Sequence, residues 1–117
     1  MATTRPECLF CAIVAGTVPS TEVLATESVY AFRDINPGAP THVLVVPRTH
    51  VTDAAALGPE HGELLAEMCV AARTIAQQEG LSGGYRLVLN VGEDSGNSVP
   101  HLHLHVLGGR RFTWPPG

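Results

Sequence analysis

The chain of 117 residues predicts a single α+β domain over residues 1–117, with one antiparallel sheet of about five strands. The first observation is the order of the segments: a short helix, strand-like runs, one long amphipathic helix, then further strands. The second is a hydrophobic content of 44%, which is ordinary for a globular protein. The third is that no apolar run approaches the roughly 18 residues of a membrane span.

The first half of the chain predicts one short helix and three strands. The stretch "CLFCAIVAG" is mostly apolar and ends at Gly16, as a helix closed by a glycine does. Strand-like runs surround residues 23–24 and 29–32, and the Pro- and Gly-rich "INPGAP" is typical of a turn. The β-branched "THVLVVP" predicts a central strand that ends at Pro47.

The second half predicts the long helix and two more strands. The helix should run from Pro59 to Gln78, before Gly80, with Cys69 as a small core residue. Its apolar stripe at helical spacing is Leu64, Leu65, Met68, Ala72 and Ile75. The strands "YRLVLNV" and "HLHLHVL" flank the polar loop "GEDSGNS", and the two prolines of the tail "RRFTWPPG" prevent regular pairing.

Charge and the N-terminal sequence limit the possible partners. The net charge is −4, all seven basic residues are arginines, and the only basic pair is Arg110-Arg111. Nucleic acid needs clustered positive charge, so it is not expected as a partner, and neither is a membrane. The absence of lysine excludes P-loop and Schiff-base chemistry. The stretch "MATTRPECLF" has no long apolar core, so we expect a cytoplasmic protein without a secretory signal.

Three of the six histidines alternate in "HLHLHVLGG". Alternate strand residues share one face, so His101, His103 and His105 should stand about 7 Å apart opposite Leu102, Leu104 and Val106. Three interpretations are open: a metal site, a nucleophilic site acting on phosphorus, or a solvent-facing polar edge without chemistry.

A metal site would draw on the cysteines. Structural zinc commonly takes two Cys and two His, and Cys8, Cys11, His50 and one end of the histidine run would complete such a set. Three cysteines in a chain of this character do not indicate a disulfide framework. The alternative is a pair of reduced thiols packed beside a helix.

A phosphorus site would use the remaining histidines, His42, His103 and His105. Neutral imidazole is a competent nucleophile and general base near pH 7. The loop "GEDSGNSV" offers backbone N–H groups and the Ser98 hydroxyl to an anion without any lysine. These features favour phosphoryl or nucleotidyl transfer, although Ser98 taken alone reads as a turn residue.

Several of these motifs occur together in one known family. The run "HLHLHVLGG" resembles the signature of the histidine triad (HIT) superfamily, and "DINPGAPTHVLVVPRTH" is similar to its central motif. The ending "WPPG" looks like that of the Hint branch, whose zinc-bearing bacterial members this chain resembles. The resemblance extends from Cys8 to Gly117 and implies a HIT-like fold.

The resemblance implies a function. Hint-like proteins are homodimers whose sheets join across the two-fold axis. They bind purine nucleoside monophosphates such as AMP or GMP, and they hydrolyse phosphoramidates of these, such as adenosine 5′-phosphoramidate or aminoacyl adenylates. A covalent nucleotidyl-histidine intermediate divides one difficult displacement into two steps. The resemblance requires no nucleotide cofactor, and charge on the imidazoles is expected to serve the phosphate in place of magnesium.

The resemblance also assigns roles to residues. It implies His103 as the nucleophile, with His42 and His105 beside the phosphate and Asn90 and Ser98 supporting the phosphate and leaving group. The nucleoside pocket would be lined by Asp34, Ile35, Phe10 and Ile13, and Trp114, in the tail 110–117, would reach the partner's site. The zinc ligands would be Cys8, Cys11, His50 and His101. On pattern alone, Asp34 is equally a turn residue, and Phe10, Ile13 and Ile35 are core residues.

The chain departs from the family pattern at one position, and two other functions are alternatives. The family often has Gln where this chain has the shorter Asn97, so Asn97 is not assigned to catalysis. A dinucleoside polyphosphate hydrolase has similar motifs. A nucleotide-binding regulatory module with weak hydrolysis is the third possibility, although the presence of His42, His103, His105 and Ser98 together argues against it.

Overall fold

The computed structural model describes Arg5 and residues 7–117. The helices are α1, Leu9–Ala15, and α2, Gly62–Gln78. The strands are β1, Glu22–Ala25; β2, Val29–Arg33; β3, Thr41–Pro47; β4, Arg86–Leu89; and β5, Leu104–Gly108. The predicted long helix is therefore divided, because a 3₁₀ turn at Pro59–His61 precedes α2. In the described part of the chain, neither helix combines the length and the apolar character needed to cross a bilayer.

The five strands form one antiparallel sheet in the order β1-β2-β3-β5-β4. This arrangement confirms the predicted α+β class with one long and one short helix. Strand β3 lies at the centre, which explains why its sequence is almost continuously apolar: both of its faces are covered.

One face of the sheet packs against α2. The side chains of Val43 and Val45 from β3 meet Met68 and Ile75 from the helix, and all four are fully buried. Cys69 is exposed, so the expectation that it belongs to the core is wrong. It follows Met68 by one residue, and a step of about 100° around the helix turns it away from the sheet.

The other face of the sheet packs against α1. Leu44 and Val46 alternate with the valines of β3 and therefore point the opposite way, towards Phe10 and Ile13 of α1. The helix ends at Gly16, whose φ of 82° is left-handed and whose N–H bonds the carbonyls of Ala12 and Ile13. The predicted glycine stop is therefore present.

The histidine run begins before its strand. Leu102, Leu104 and Val106 lie in the core beneath α2 as the alternation predicts, but β5 starts only at Leu104. His101 is 0% exposed and His103 is 9% exposed. The interpretation of the run as a solvent-facing polar edge is therefore wrong, because the segment before β5 is covered by α1.

The C-terminal tail lies against its own chain for part of its length. The Phe112 ring lies between the guanidinium groups of Arg86 and Arg110, with centroid distances of 4.8 and 4.2 Å. Arg86 also donates to the carbonyl of Thr113. The Trp114 side chain beyond these contacts is 86% exposed.

Candidate active site

The pairing of β3 with β5 brings His42 and His105 together. His42 lies opposite Leu107 and Leu44 lies opposite His105, so the two imidazoles are diagonal neighbours on the sheet face that α1 covers. His42 Nε2 and His105 Nδ1 are 2.9 Å apart, a normal hydrogen-bond distance. Two histidines that are 63 positions apart in sequence thus form one unit.

His103 is oriented by the backbone just before it. Its Nδ1 lies 2.7 Å from the carbonyl oxygen of His101, and a carbonyl only accepts, so Nδ1 carries the proton. The other nitrogen, Nε2, therefore has a free lone pair when the ring is neutral. The Phe10 ring meets the His103 ring edge to face at 5.1 Å, and the His105 ring stands 5.0 Å away.

A cavity of about 300 Å³ opens beside these histidines. Its apolar wall comes from α1 and the sheet, and includes the predicted Phe10 and Ile13. It also contains His103, His105 and the remaining predicted residues, which are Asp34, Ile35, Asn90 and Ser98. The structure thus brings together, around one cavity, every residue predicted for the nucleotide pocket except Trp114.

Asp34 builds the turn before β3 and also lines the cavity, while its predicted contact with ribose stays a prediction. Its Oδ1 accepts the backbone N–H of Asn36 at 2.8 Å, which builds the turn before β3. Its Oδ2 lies 3.5 Å from His42 Nε2. The turn therefore holds the carboxylate at the mouth of the cavity.

The loop before the histidine run supplies the polar side of the cavity. The Asn90 amide donates to the Ser95 carbonyl at 3.0 Å, which ties the end of β4 to this loop. The Asn97 side chain accepts the Val99 N–H at 3.2 Å, so it closes a local turn. Ser98, between Asn97 and Val99 in the sequence, is exposed and lines the cavity.

A second cluster lies where α1 meets the segment before β5. Cys8, Cys11, His50 and His101 each place a ligand atom within 4.8 Å of the others. Sulfur-to-nitrogen distances are 3.3 Å for Cys8–His101, 3.4 Å for Cys11–His50 and 3.5 Å for Cys11–His101. A tetrahedral zinc with bonds near 2.3 Å to sulfur and 2.0 Å to nitrogen places these two atoms about 3.5 Å apart. The donor set and its spacing fit this ion.

The fold prepares these four residues to act as ligands. His101 donates from Nε2 to the Pro47 carbonyl at 2.9 Å, which leaves the Nδ1 lone pair facing the two sulfurs. Burial lowers the pKa of both His50 and His101, so both rings are neutral near pH 7. Burial raises the pKa of Cys11, whose proton a metal ion would displace.

Comparison with known proteins decides the family. The model of the HIT domain matches residues 15–112. The chain is 46% identical over 111 residues to the 14 kDa zinc-binding protein of Zea mays, covering 93% of this chain and 87% of that protein. It is 39% identical to adenylylsulfatase HINT1 of Arabidopsis thaliana, covering 93% and 76%.

This chain belongs to the HIT domain family. A solved HIT family hydrolase from Legionella pneumophila superposes with a TM-score of 0.92 at 48% identity, covering 95% of this chain and all of that one. The family predicted from the motifs is confirmed, and so is the HIT fold.

The central histidines of this HIT site are uncharged. Burial lowers the pKa of His42, which Asp34 only partly offsets. Burial, reinforced by His103 and His42, lowers the pKa of His105 to about 4. Both rings are therefore neutral near pH 7. The expectation that imidazole charge serves a phosphate stays a prediction, because an adjacent anion would raise these pKa values.

Some features of the HIT site were not predicted, and one predicted residue lies elsewhere. The Gly38 N–H donates to His42 Nδ1 at 2.9 Å, and Leu9 and Val99 line the cavity. The "NPG" turn four residues before His42 was the only signal for the Gly38 contact. Trp114 lies in the exposed tail and does not line this cavity, so its predicted reach into a partner's site stays a prediction.

We expect the ring protons of His105 to titrate near pH 4 in a histidine-resolved NMR titration. As the pH falls below about 6.5, this ring binds a proton in the unfolded chain but not in the folded chain. The free energy of unfolding should therefore decrease as the pH is lowered from about 6.5 to about 4. The contribution is on the order of 1–2 kcal/mol after allowance for partial exposure. A His105 midpoint near 6.5 would contradict this account of the site.

Proposed function

We propose that this protein hydrolyses purine nucleoside 5′-phosphoramidates, or aminoacyl adenylates, through a nucleotidyl group carried on His103. The observation that carries the proposal is the tautomer of His103: its Nδ1–H donates to the His101 carbonyl, which leaves the Nε2 lone pair free beside the cavity. An imidazole held in this way attacks without first losing a proton. The Legionella structure is named a hydrolase, which supports the reaction class.

The proposed first step is displacement at the α-phosphorus. His103 Nε2 forms a bond to phosphorus while the bond to the leaving amine breaks, and the amine takes up a proton. His105 stands beside His103 as the proton source, and Asn90 and Ser98 border the polar side of the cavity. In the second step, water attacks phosphorus, the bond to His103 breaks, and the nucleoside monophosphate is released with the water's proton returned to the imidazoles.

The cavity supports a nucleoside as the recognised part of the substrate. Phe10 and Ile13 give it an apolar wall that suits a base. The Asp34 carboxylate can accept hydrogen bonds from both ribose hydroxyls. The size of the leaving group is less restricted, because the side of the cavity that would hold it is open to solvent at Ser98.

One comparison favours a second leaving group. The relative from Arabidopsis thaliana is named an adenylylsulfatase, and sulfate leaves phosphorus without needing a proton. We infer that this chain can also cleave a phosphate–sulfate anhydride through the same histidine. Rates on adenosine 5′-phosphoramidate, adenylyl sulfate and a diadenosine polyphosphate, measured side by side, rank the three leaving groups.

We propose that Cys8, Cys11, His50 and His101 hold a structural zinc ion. The donor set and the 3.3–3.5 Å spacings support this, and relatives from Zea mays and Brassica juncea are named zinc-binding proteins. When bound, zinc supplies cross-linking and no step of the reaction. Its ligands would join α1 to the segment that leads into β5, and so fix the backbone that orients His103.

We propose that residues 1–117 form one HIT domain and that two copies associate through β4. This strand is at the edge of the sheet, and Tyr85, Leu87, Leu89 and Val91 place an exposed apolar row along it. An unpaired apolar edge is a template for a second strand. Association of two copies would also bring the exposed Trp114 of one chain towards the other.

Replacement of the nucleophile tests the proposed reaction. His103→Ala should lower turnover of adenosine 5′-phosphoramidate at least about a thousandfold, with AMP still bound, because no other group can form the intermediate. Intact-protein mass spectrometry after rapid mixing should show an adenylate adduct on the parent protein and none on the variant. His61→Ala, a histidine replacement at the start of α2, is the matched control. Unchanged turnover in His103→Ala would refute the mechanism.

Replacement of a ligand tests the zinc proposal. Cys11→Ser should reduce zinc content from about one ion per chain and lower the melting temperature by more than about 10 °C, because ligand binding contributes to folding. Cys69→Ser, at the exposed cysteine, is the matched control and should retain the metal. Loss of activity upon chelation without a change in melting temperature would show that the metal acts in the chemistry instead.

A charge on the apolar edge tests the dimer. Leu89→Glu should convert the dimer to monomer in analytical ultracentrifugation, because two carboxylates would meet across the paired edges. Ala25→Glu adds the same charge to β1 at the opposite edge of the sheet and should leave the mass unchanged. A monomeric parent protein, or a Leu89→Glu variant that stays dimeric, would show that β4 is not the interface.

A further inference from the structure

The turn before β3 places one backbone amide on a ring of the site. The Gly38 N–H donates to His42 Nδ1 at 2.9 Å, and Gly38 itself is exposed. A Cβ added at Gly38 would lie 3.7 Å from this Nδ1, an ordinary contact distance. The Arg110 guanidinium reaches the Gly38 carbonyl at 3.4 Å, so the turn is held from its other side as well.

This contact determines where the protons of His42 and His105 lie. A backbone N–H can only donate, so His42 Nδ1 must accept and the His42 proton must be on Nε2. That Nε2–H faces His105 Nδ1 at 2.9 Å, so His105 Nδ1 must accept in turn. The proton of a neutral His105 is then on its Nε2, the ring nitrogen that is not hydrogen-bonded to His42.

We propose that the Gly38 backbone amide is a positioning group that locks His42 in the Nε2–H tautomer and thereby makes His105 a hydrogen-bond donor at Nε2. The inference rests on the proposed function, because it gives a role in that reaction to a residue outside the cavity. Gly38 does not touch the substrate; it acts through His42 and then His105.

The opposite tautomer would not suit an anionic substrate. If His42 carried its proton on Nδ1, that proton would point at the Gly38 N–H, and two donors would face each other. His105 would then donate from Nδ1 to His42 and would present a lone pair at Nε2. A lone pair repels phosphate oxygens and cannot deliver a proton to a leaving amine.

The same lock separates two clusters that both have metal-ligand character. Asp34, His42 and His105 also place ligand atoms within 4.8 Å of one another. A metal ion on His42 Nε2 would have to displace the proton that Gly38 keeps there. The cysteine-containing cluster has no such obstacle, because His101 donates from Nε2 to Pro47 and leaves Nδ1 free. The hydrogen bond from Gly38 to His42 Nδ1 therefore disfavours metal binding at His42 Nε2.

An amide-to-ester replacement removes this one donor and little else. Glycolate in place of Gly38 can be introduced by total synthesis, because Cys11 and Cys69 provide ligation junctions on both sides. The His42 ring in the synthetic segment carries ¹⁵N. Controls are the synthetic protein with the normal amide, and Gly38→Ala, which keeps the N–H and has room for the methyl group.

We expect His42 of the amide protein to show a protonated Nε2 and an accepting Nδ1 in ¹⁵N NMR, with a coupling across the hydrogen bond from Gly38. In the ester protein the Nδ1–H form should rise, and kcat should fall about tenfold with KM within about twofold, the scale of one hydrogen bond. Gly38→Ala should match the parent protein in both respects.

Three results would overturn the inference. They are an Nδ1–H tautomer in the amide protein, an unchanged tautomer in the ester protein, and a changed tautomer with unchanged kcat. If the ester protein fails to fold, the coupling between Gly38 and His42 in the amide protein still decides whether the lock exists. Failure of the proposed function can be distinguished from failure of this inference, because the NMR measurements need no substrate. If only the proposed function is wrong, the parent protein is inactive but His42 still shows the Nε2–H tautomer.

Discussion

The register between β3 and β5 is the constraint on which the site depends. The pairs Leu44–His105 and Val45–Leu104 set two faces: His42, Leu44 and His105 lie on the α1 face. Val45, Leu104 and Val106 lie on the α2 face. A slip of one residue would move every side chain of β5 to the other face. Burial of Leu104 and Val106 under α2 therefore fixes the contact between two histidines that are distant in sequence.

Much of this was predictable from local patterns, and the exceptions have physical reasons. The glycine stop of α1, the turn at "INPGAP" and the faces of Leu102, Leu104 and Val106 follow from residue type and period. The buried side of α2 runs through Met68, Ala72 and Ile75 of the predicted stripe, and Cys69 lies beside that stripe, so the stripe was a better guide than the residue type. The late start of β5 depends on where β3 ends at Pro47, which belongs to another part of the chain.

The residues of the candidate site were predictable from the sequence, but the charge states and tautomers of its histidines were not. Motif and spacing predicted that His42, His103 and His105 form one site. The cavity is lined by the nucleoside-pocket residues named from the resemblance, apart from Trp114. No pattern showed that burial keeps His42 and His105 neutral, or that Gly38 and the His101 carbonyl choose their tautomers and that of His103. The tautomers depend on backbone groups, which are identical at every residue, and the "NPG" turn was the only sequence signal for one of these contacts.

Under the proposed function, backbone control of the imidazoles also explains how a chain without lysine could act on phosphate. A fixed cation would attract an anion equally before and after reaction, whereas N–H groups aimed by the fold favour only the geometry they were built for. The Pro47 carbonyl turns the Nδ1 of His101 towards the cysteines, and the carbonyl of that same His101 turns the Nε2 of His103 towards the cavity. His101 thus belongs to both clusters, so a shift of the Cys/His cluster would also displace His103, and the two clusters must be formed together.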